Sequence, residues 1–149
     1  MKTVPIADGV FTWPASRPRL LGARCGECGT HTFPAQSGCP RCGSEAMAVV
    51  ELADRGTLYT YTTQEFLPKW PYAGPETETD FAGYTVGYVE LPGEVMVETR
   101  VVGIAPDRLR IGMPLRLVIV PFRTDPDGAE VLTYAFAPEG AVEDSEGAP

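Results

Sequence analysis

A chain of 149 residues, 44% of them hydrophobic, is long enough for one ordinary domain, or for a small domain with a short stapled module, and can bury a core. Its 12 lysines and arginines stand against 20 acids, and a formal net charge of −8 is poorly suited to gripping a nucleic-acid backbone. No apolar run approaches the roughly 20 residues of a membrane helix, and the N-terminus MKTVPIADGVFTWP lacks the apolar centre of a signal peptide, so a cytoplasmic protein without membrane or nucleic-acid partners is expected.

Residues 1–19 read as an arm. Pro5, Pro14 and Pro18 argue against a long helix there. Phe11 and Trp13 are its large apolar groups, and two readings of them carry equal weight: packing onto the chain's own core, or lying on a partner. Arg17, Arg19 and Arg24 lead out of the arm, where a solvated basic edge is favoured over contacts with the phosphates of a small ligand.

All four cysteines follow within residues 20–52, as two Cys-x-x-Cys pairs, Cys25/Cys28 and Cys39/Cys42, with ten residues between them. Each pair can aim two thiolates at one point, and two pairs complete the tetrahedron that zinc prefers. Gly29 and Gly43 follow the pairs and suit a tight knuckle, which Pro40 stiffens in the second case. Structural disulfides would need an oxidising compartment, and a thioredoxin-like pair would be single and open a helix. Four thiolates also close the shell against a bound water, so one structural Zn2+ per chain is expected, and no catalytic metal. The single histidine, His31, lies in the alternating THTF and reads as a ribbon surface residue.

Period-two patterning then dominates. MAVVEL (47–52) closes the ribbon and Asp54-Arg55-Gly56 turns out of it; TLYTYTT (57–63), GYTVGYVEL (83–91), VMVETRVV (95–102), LRLVIVPF (115–122) and VLTYAFA (131–137) follow as strands. Tyr84, Val86 and Tyr88 share one face, and Leu91-Pro92-Gly93-Glu94 has the proline and glycine order of a type II turn. Five short strands with turns between them predict a mainly β protein: a rubredoxin-like zinc ribbon, then a five-stranded barrel of the oligonucleotide/oligosaccharide-binding (OB) type over 53–138. A flat sandwich stays open, because strand order is not written in one sequence. The tail, 139–149, is acidic and rich in small residues, and disorder is expected for it.

One connection is too long for a hairpin. About eighteen residues, Glu65 to Ala82, separate the first two barrel strands, whereas structureless loops beyond about 12–15 residues are usually functional or disordered. Phe66, Trp70, Tyr72 and Phe81 argue against full disorder. Two readings remain for Trp70 and Tyr72: a surface for a partner, or a lid on the barrel's own open end. Lys69 reads first as an exposed lysine and second as a contact for a ligand's phosphate.

FTWP, RPRLLGARCGECG, FPAQSGCPRCGS, GTLYTYT and DRLRIGMPLRL, in that order over roughly residues 10–138, resemble the zinc-ribbon plus OB-fold proteins of acyl-CoA metabolism, a family long catalogued as a domain of unknown function. The resemblance implies a companion subunit of thiolase-superfamily enzymes: thiolases, hydroxymethylglutaryl-CoA synthases or lipid-transfer-protein-like aldolases. In such assemblies the partner carries the catalytic Cys, His or Tyr, and the small subunit stabilises it and shapes the acyl-CoA passage. The residues agree on one point, since one histidine and four metal-bound cysteines leave no nucleophile, base and orienter for thioester chemistry by this chain alone. The expected assembly is two plus two on a dimeric partner. Its candidate contacts are Phe11, Trp13, Phe66, Lys69, Trp70, Tyr72 and Phe81. The alternatives are a free acyl-CoA-binding OB-fold protein, then a nucleic-acid-binding one or an enzyme acting alone.

Overall fold

The computed structural model describes residues 2–140; beyond Glu139 and Gly140, the tail expected to be disordered lies outside the described residues. Among the described residues nine strands run in chain order: β1 (Thr3–Pro5), β2 (Leu21–Cys25), β3 (His31–Thr32), β4 (Met47–Glu51), β5 (Arg55–Gln64), β6 (Tyr84–Glu90), β7 (Met96–Val101), β8 (Pro114–Thr124) and β9 (Glu130–Ala137). A 3-10 turn, Pro106–Arg108, lies between β7 and β8. Among the described residues no helix is long and apolar enough to cross a membrane.

β5 to β9 close on themselves. β5 pairs antiparallel with β6, β6 with β7, and β8 with both β9 and β5, while a parallel contact of Val101 with Phe136 joins β7 to β9. The circuit β5-β6-β7-β9-β8-β5 is a five-stranded barrel, which removes the flat sandwich. Period two places Thr85, Gly87 and Val89 of β6 and Val97, Thr99 and Val101 of β7 on the buried face. The aromatic face of β6, with Tyr84 and Tyr88, is therefore the outer one.

The ribbon sheet has β2 at its centre, between β3 and β4. It does not keep a core of its own. Leu20 and Leu52, both fully buried, join Phe11, Leu58, Val89, Leu115 and Phe136 in one apolar cluster that runs from the arm into the barrel. Phe11 is 4% exposed and bridges to Leu20, so its own-core reading is the one the fold realises. The chain doubles back there: the Thr12 N–H donates to the Arg19 carbonyl at 2.9 Å, and the Leu21 N–H to that of Val10 at 2.8 Å.

β1 was not expected from the arm. It lies parallel on β9, Thr3 opposite Glu130 and Pro5 opposite Leu132. Three residues ending in proline carry no period to read, and a partner far away in sequence supplies their order.

Gly56 shows how tightly the barrel closes. A Cβ there would meet the Glu90 carbonyl oxygen as well as Val89 Cγ1 at 2.8 Å and Leu91 Cδ2 at 2.9 Å, two of them core side chains. Gly56→Ala is expected to cost about 1–3 kcal/mol by overpacking and to lower the melting temperature by roughly 5–10 °C. An unchanged thermal melt would show that β5 and β6 can separate without loss.

Candidate metal centre and docking loop

Both knuckles are built alike. The Gly29 N–H donates to the Cys25 carbonyl at 3.0 Å and the Gly43 N–H to that of Cys39 at 2.9 Å. Both glycines sit at φ +78°, a region that a side chain would strain. The turns aim amides at sulfur: Glu27 and Cys28 N–H at Cys25 Sγ (3.4 and 3.5 Å), and Cys42 N–H at Cys39 Sγ (3.5 Å).

The four Sγ atoms lie within 4.8 Å of one another, with Cys28 to Cys39 at 3.5 Å and Cys25 to Cys42 at 3.7 Å. Sulfurs bonded tetrahedrally to one zinc stand about 3.8 Å apart, from a Zn–S length of about 2.3 Å. A disulfide needs about 2.05 Å. All four cysteines are accordingly free thiols, and Cys25, Cys28, Cys39 and Cys42 would hold the ion with no open position.

The local charges favour a cation. The Thr30 hydroxyl, 3.1 Å from Cys28 Sγ, and the Thr30 backbone hold the pKa of the Cys28 thiol down to about 6. Backbone N–H groups of Cys28 and Glu27 lower that of Cys25. Cys42 goes the other way, to about 12: the Ser44 backbone pulls it down, but desolvation and the three neighbouring sulfurs push it up further. Four thiolates cannot crowd together unaided, and a dication resolves that conflict. His31, half-buried on β3, is not among the ligands.

The long loop, between β5 and β6, has two unlike halves. Its tip carries Phe66, 80% exposed, and Trp70, 90% exposed, with Lys69 exposed between them. Its return half is tied down. The Tyr72 ring stacks on Tyr84 at 6.2 Å and meets Phe122 edge-on at 6.0 Å, while Phe81 packs edge-on against Tyr84 at 5.9 Å. The Tyr72 hydroxyl donates to Glu76 Oε1 at 2.9 Å and accepts from Arg100 Nη2 at 2.8 Å. Burial raises the pKa of that hydroxyl, with Arg100 pulling it down and Glu76 pushing it up.

The seven candidate contacts thus do not form one patch. Phe11 is core, and Trp13 packs edge-on against it at 6.4 Å. Tyr72 and Phe81 lie on the barrel, and only Phe66, Lys69 and Trp70 stand clear of it. Sequence reasoning passed over Arg100 and Phe122, which hold Tyr72. Their strands gave no signal, since outward positions alternate with inward ones whether or not a loop folds onto them.

A pair of two-cysteine knuckles feeding a closed five-stranded barrel with strand order first-second-third-fifth-fourth defines a zinc-ribbon/OB-fold protein. Two family models match in succession: "ChsH2, rubredoxin-like zinc ribbon domain" over residues 12–48 and "ChsH2, C-terminal OB-fold domain" over residues 49–120. The chain belongs to this ChsH2-type family. It is 34% identical over 119 residues to the benzoylsuccinyl-CoA thiolase subunit BbsA of Thauera aromatica, covering 80% of this chain and 76% of that one. It is 30% identical over 133 residues to a DUF35 domain-containing scaffold protein of Methanocaldococcus jannaschii, covering 85% and 86%. Among solved structures, a chain of the Ltp2-ChsH2(DUF35) aldolase superposes with a TM-score of 0.59 at 34% identity, over 80% of this chain and 84% of that one.

Proposed function

We propose that this protein is the non-catalytic zinc-binding subunit of a thiolase-superfamily complex, a thiolase or retro-aldolase, that acts on acyl-CoA esters. It stabilises the catalytic subunit and shapes its acyl-CoA passage. The observation that carries the reading is the 34% identity over four fifths of the chain to a protein named as a thiolase subunit, matched by the same identity to a chain of an aldolase complex. The residues support it, because the four cysteine sulfurs converge in a set that could hold one metal ion and the single histidine is not among them.

The docking element on this reading is the loop tip, Phe66 to Trp70. A tryptophan nine-tenths exposed on a pinned loop is the residue type that dominates interface energetics once desolvated. Lys69 beside it can meet a CoA phosphate. Zinc serves the fold, and the assembly has two copies of each subunit.

Co-expression with a thiolase-like protein encoded beside it tests this. The expected result is a defined complex of two plus two by light scattering, a higher soluble yield, and CoA-ester cleavage that neither subunit gives alone. A stable monomer with no affinity for any such neighbour overturns the reading.

A further inference from the structure

A cavity of about 520 Å³ opens where the arm, the ribbon and the barrel meet. Its walls are mostly apolar: Ile6 and Val10 from the arm, Phe33 from the ribbon, and Tyr134 from β9. Arg100 lines it as well. Its guanidinium carbon lies 3.8 Å from the Tyr84 ring centroid, 5.4 Å from that of Phe122 and 5.8 Å from that of Tyr72.

This arginine is set apart by its three aromatic neighbours. Arg17, Arg55 and Arg123 each reach a carboxylate directly, at 3.2, 2.7 and 3.2 Å. Arg100, in a chain with eight more acids than bases, makes no direct ion pair among the described residues. Its one side-chain hydrogen bond there goes to the Tyr72 hydroxyl, whereas a guanidinium offers five N–H groups. Aromatic faces offset the cost of half-burying the charge and fix the plane of the fork. A planar fork of that kind recognises a carboxylate through two parallel hydrogen bonds.

The surroundings set the ligand's charge. Glu98, two residues before Arg100, lines the same cavity, and Glu76 stands behind the Tyr72 hydroxyl. Both weaken the pull of Arg100 on any anion, and what attraction is left only doubles for a dianion such as a phosphate monoester, while the cost of stripping water from it rises as the square of its charge. The apolar remainder calls for a hydrocarbon or aryl body. A volume of this size accepts a molecule of ordinary ligand dimensions.

We infer that this cavity binds a small organic monocarboxylate, its carboxylate on Arg100 and its apolar body against Ile6, Val10 and Phe33. The inference does not depend on the partner reading, since every residue in it belongs to this chain.

Calorimetric titration of the zinc-loaded full-length chain tests it, with 4-phenylbutyrate, 4-phenylbutan-1-ol and phenyl phosphate as probes. The acid is expected to bind at least about tenfold more tightly than the alcohol, as a charge-assisted pair requires. Phenyl phosphate should bind more weakly than the acid. Arg100→Gln should abolish the preference for the acid while leaving the alcohol unchanged. Because that variant can loosen the loop, Glu98→Gln serves as the second: it leaves the aromatic cage intact and should tighten the acid several-fold and the alcohol not at all. Equal binding of acid and alcohol, no binding of the acid at millimolar concentration, tighter binding of phenyl phosphate, or a Glu98→Gln variant indifferent to the acid would each overturn the assignment.

Discussion

Cys25→Ser is expected to remove the zinc and most of the soluble protein together. Cys25 ends β2, the central ribbon strand, and is fully buried, while its sulfur stands 3.7 Å from that of Cys42 across the site. The ribbon has three strands of five, two and five residues, too few to hold it in place by themselves. Structural zinc in comparable small modules contributes about 10–16 kcal/mol of apparent binding energy, against a whole-domain stability of about 5–15 kcal/mol. Loss of the ion also reaches the barrel, because Leu20 and Leu52 flank the ribbon strands and share a core with Phe136. Elemental analysis should therefore give one zinc per chain, and a chelator should collapse the melting transition rather than shift it by a few degrees. Cys42→Ser should lose the ion with a milder effect on solubility, since Cys42 is exposed. Folded, soluble protein with well under one zinc per chain would refute a structural metal.

How much of this was legible in the sequence follows from how local each feature is. The ligand set needed only two short spacings and two glycines, and Gly29 and Gly43 take the positive φ that such knuckles require. The barrel strands were legible because alternation is a local signal; TLYTYTT falls inside β5 and VLTYAFA inside β9. Closure was not, since it hangs on Val101 meeting Phe136, 35 residues apart in the chain. The same holds for β1, whose pairing with β9 joins the two ends of the described chain. For Phe11 the two readings were evenly matched, as apolar character is the same for a core and for an interface, and only the bridge to Leu20 separates them. Arg100 lay hidden for the converse reason: an arginine at an outward strand position looks like any solvated charge until three rings close around it.

Removing the loop-tip aromatics should separate partner binding from the chain's own stability. Phe66 and Trp70 bury almost nothing in this chain, being 80% and 90% exposed, so truncating them takes little from the fold. Tyr72, two residues on, anchors the return half through Tyr84, Phe122, Arg100 and Glu76. The tip is thus presented by a fixed base, with Pro68, Pro71 and Pro75 limiting the freedom it loses on docking. Trp70→Ala is expected to weaken the complex by about 2–4 kcal/mol, roughly 30-fold to 1000-fold in Kd, if Trp70 anchors the interface. Phe66→Ala should add to that loss, and neither change should alter zinc content or move the subunit's own melting temperature by more than about 2 °C. Tyr72→Ala should behave differently, lowering intrinsic stability by about 1–3 kcal/mol as it breaks the stack and both hydrogen bonds. Tyr72→Phe keeps the rings and removes only the hydroxyl between Arg100 and Glu76, so it should fall between Tyr72→Ala and the parent chain. Binding titrations and thermal melts on the same four variants decide the matter. A Trp70→Ala subunit that melts early yet assembles normally would make the tip part of the chain's own fold and leave the partner contact to be sought elsewhere on the barrel.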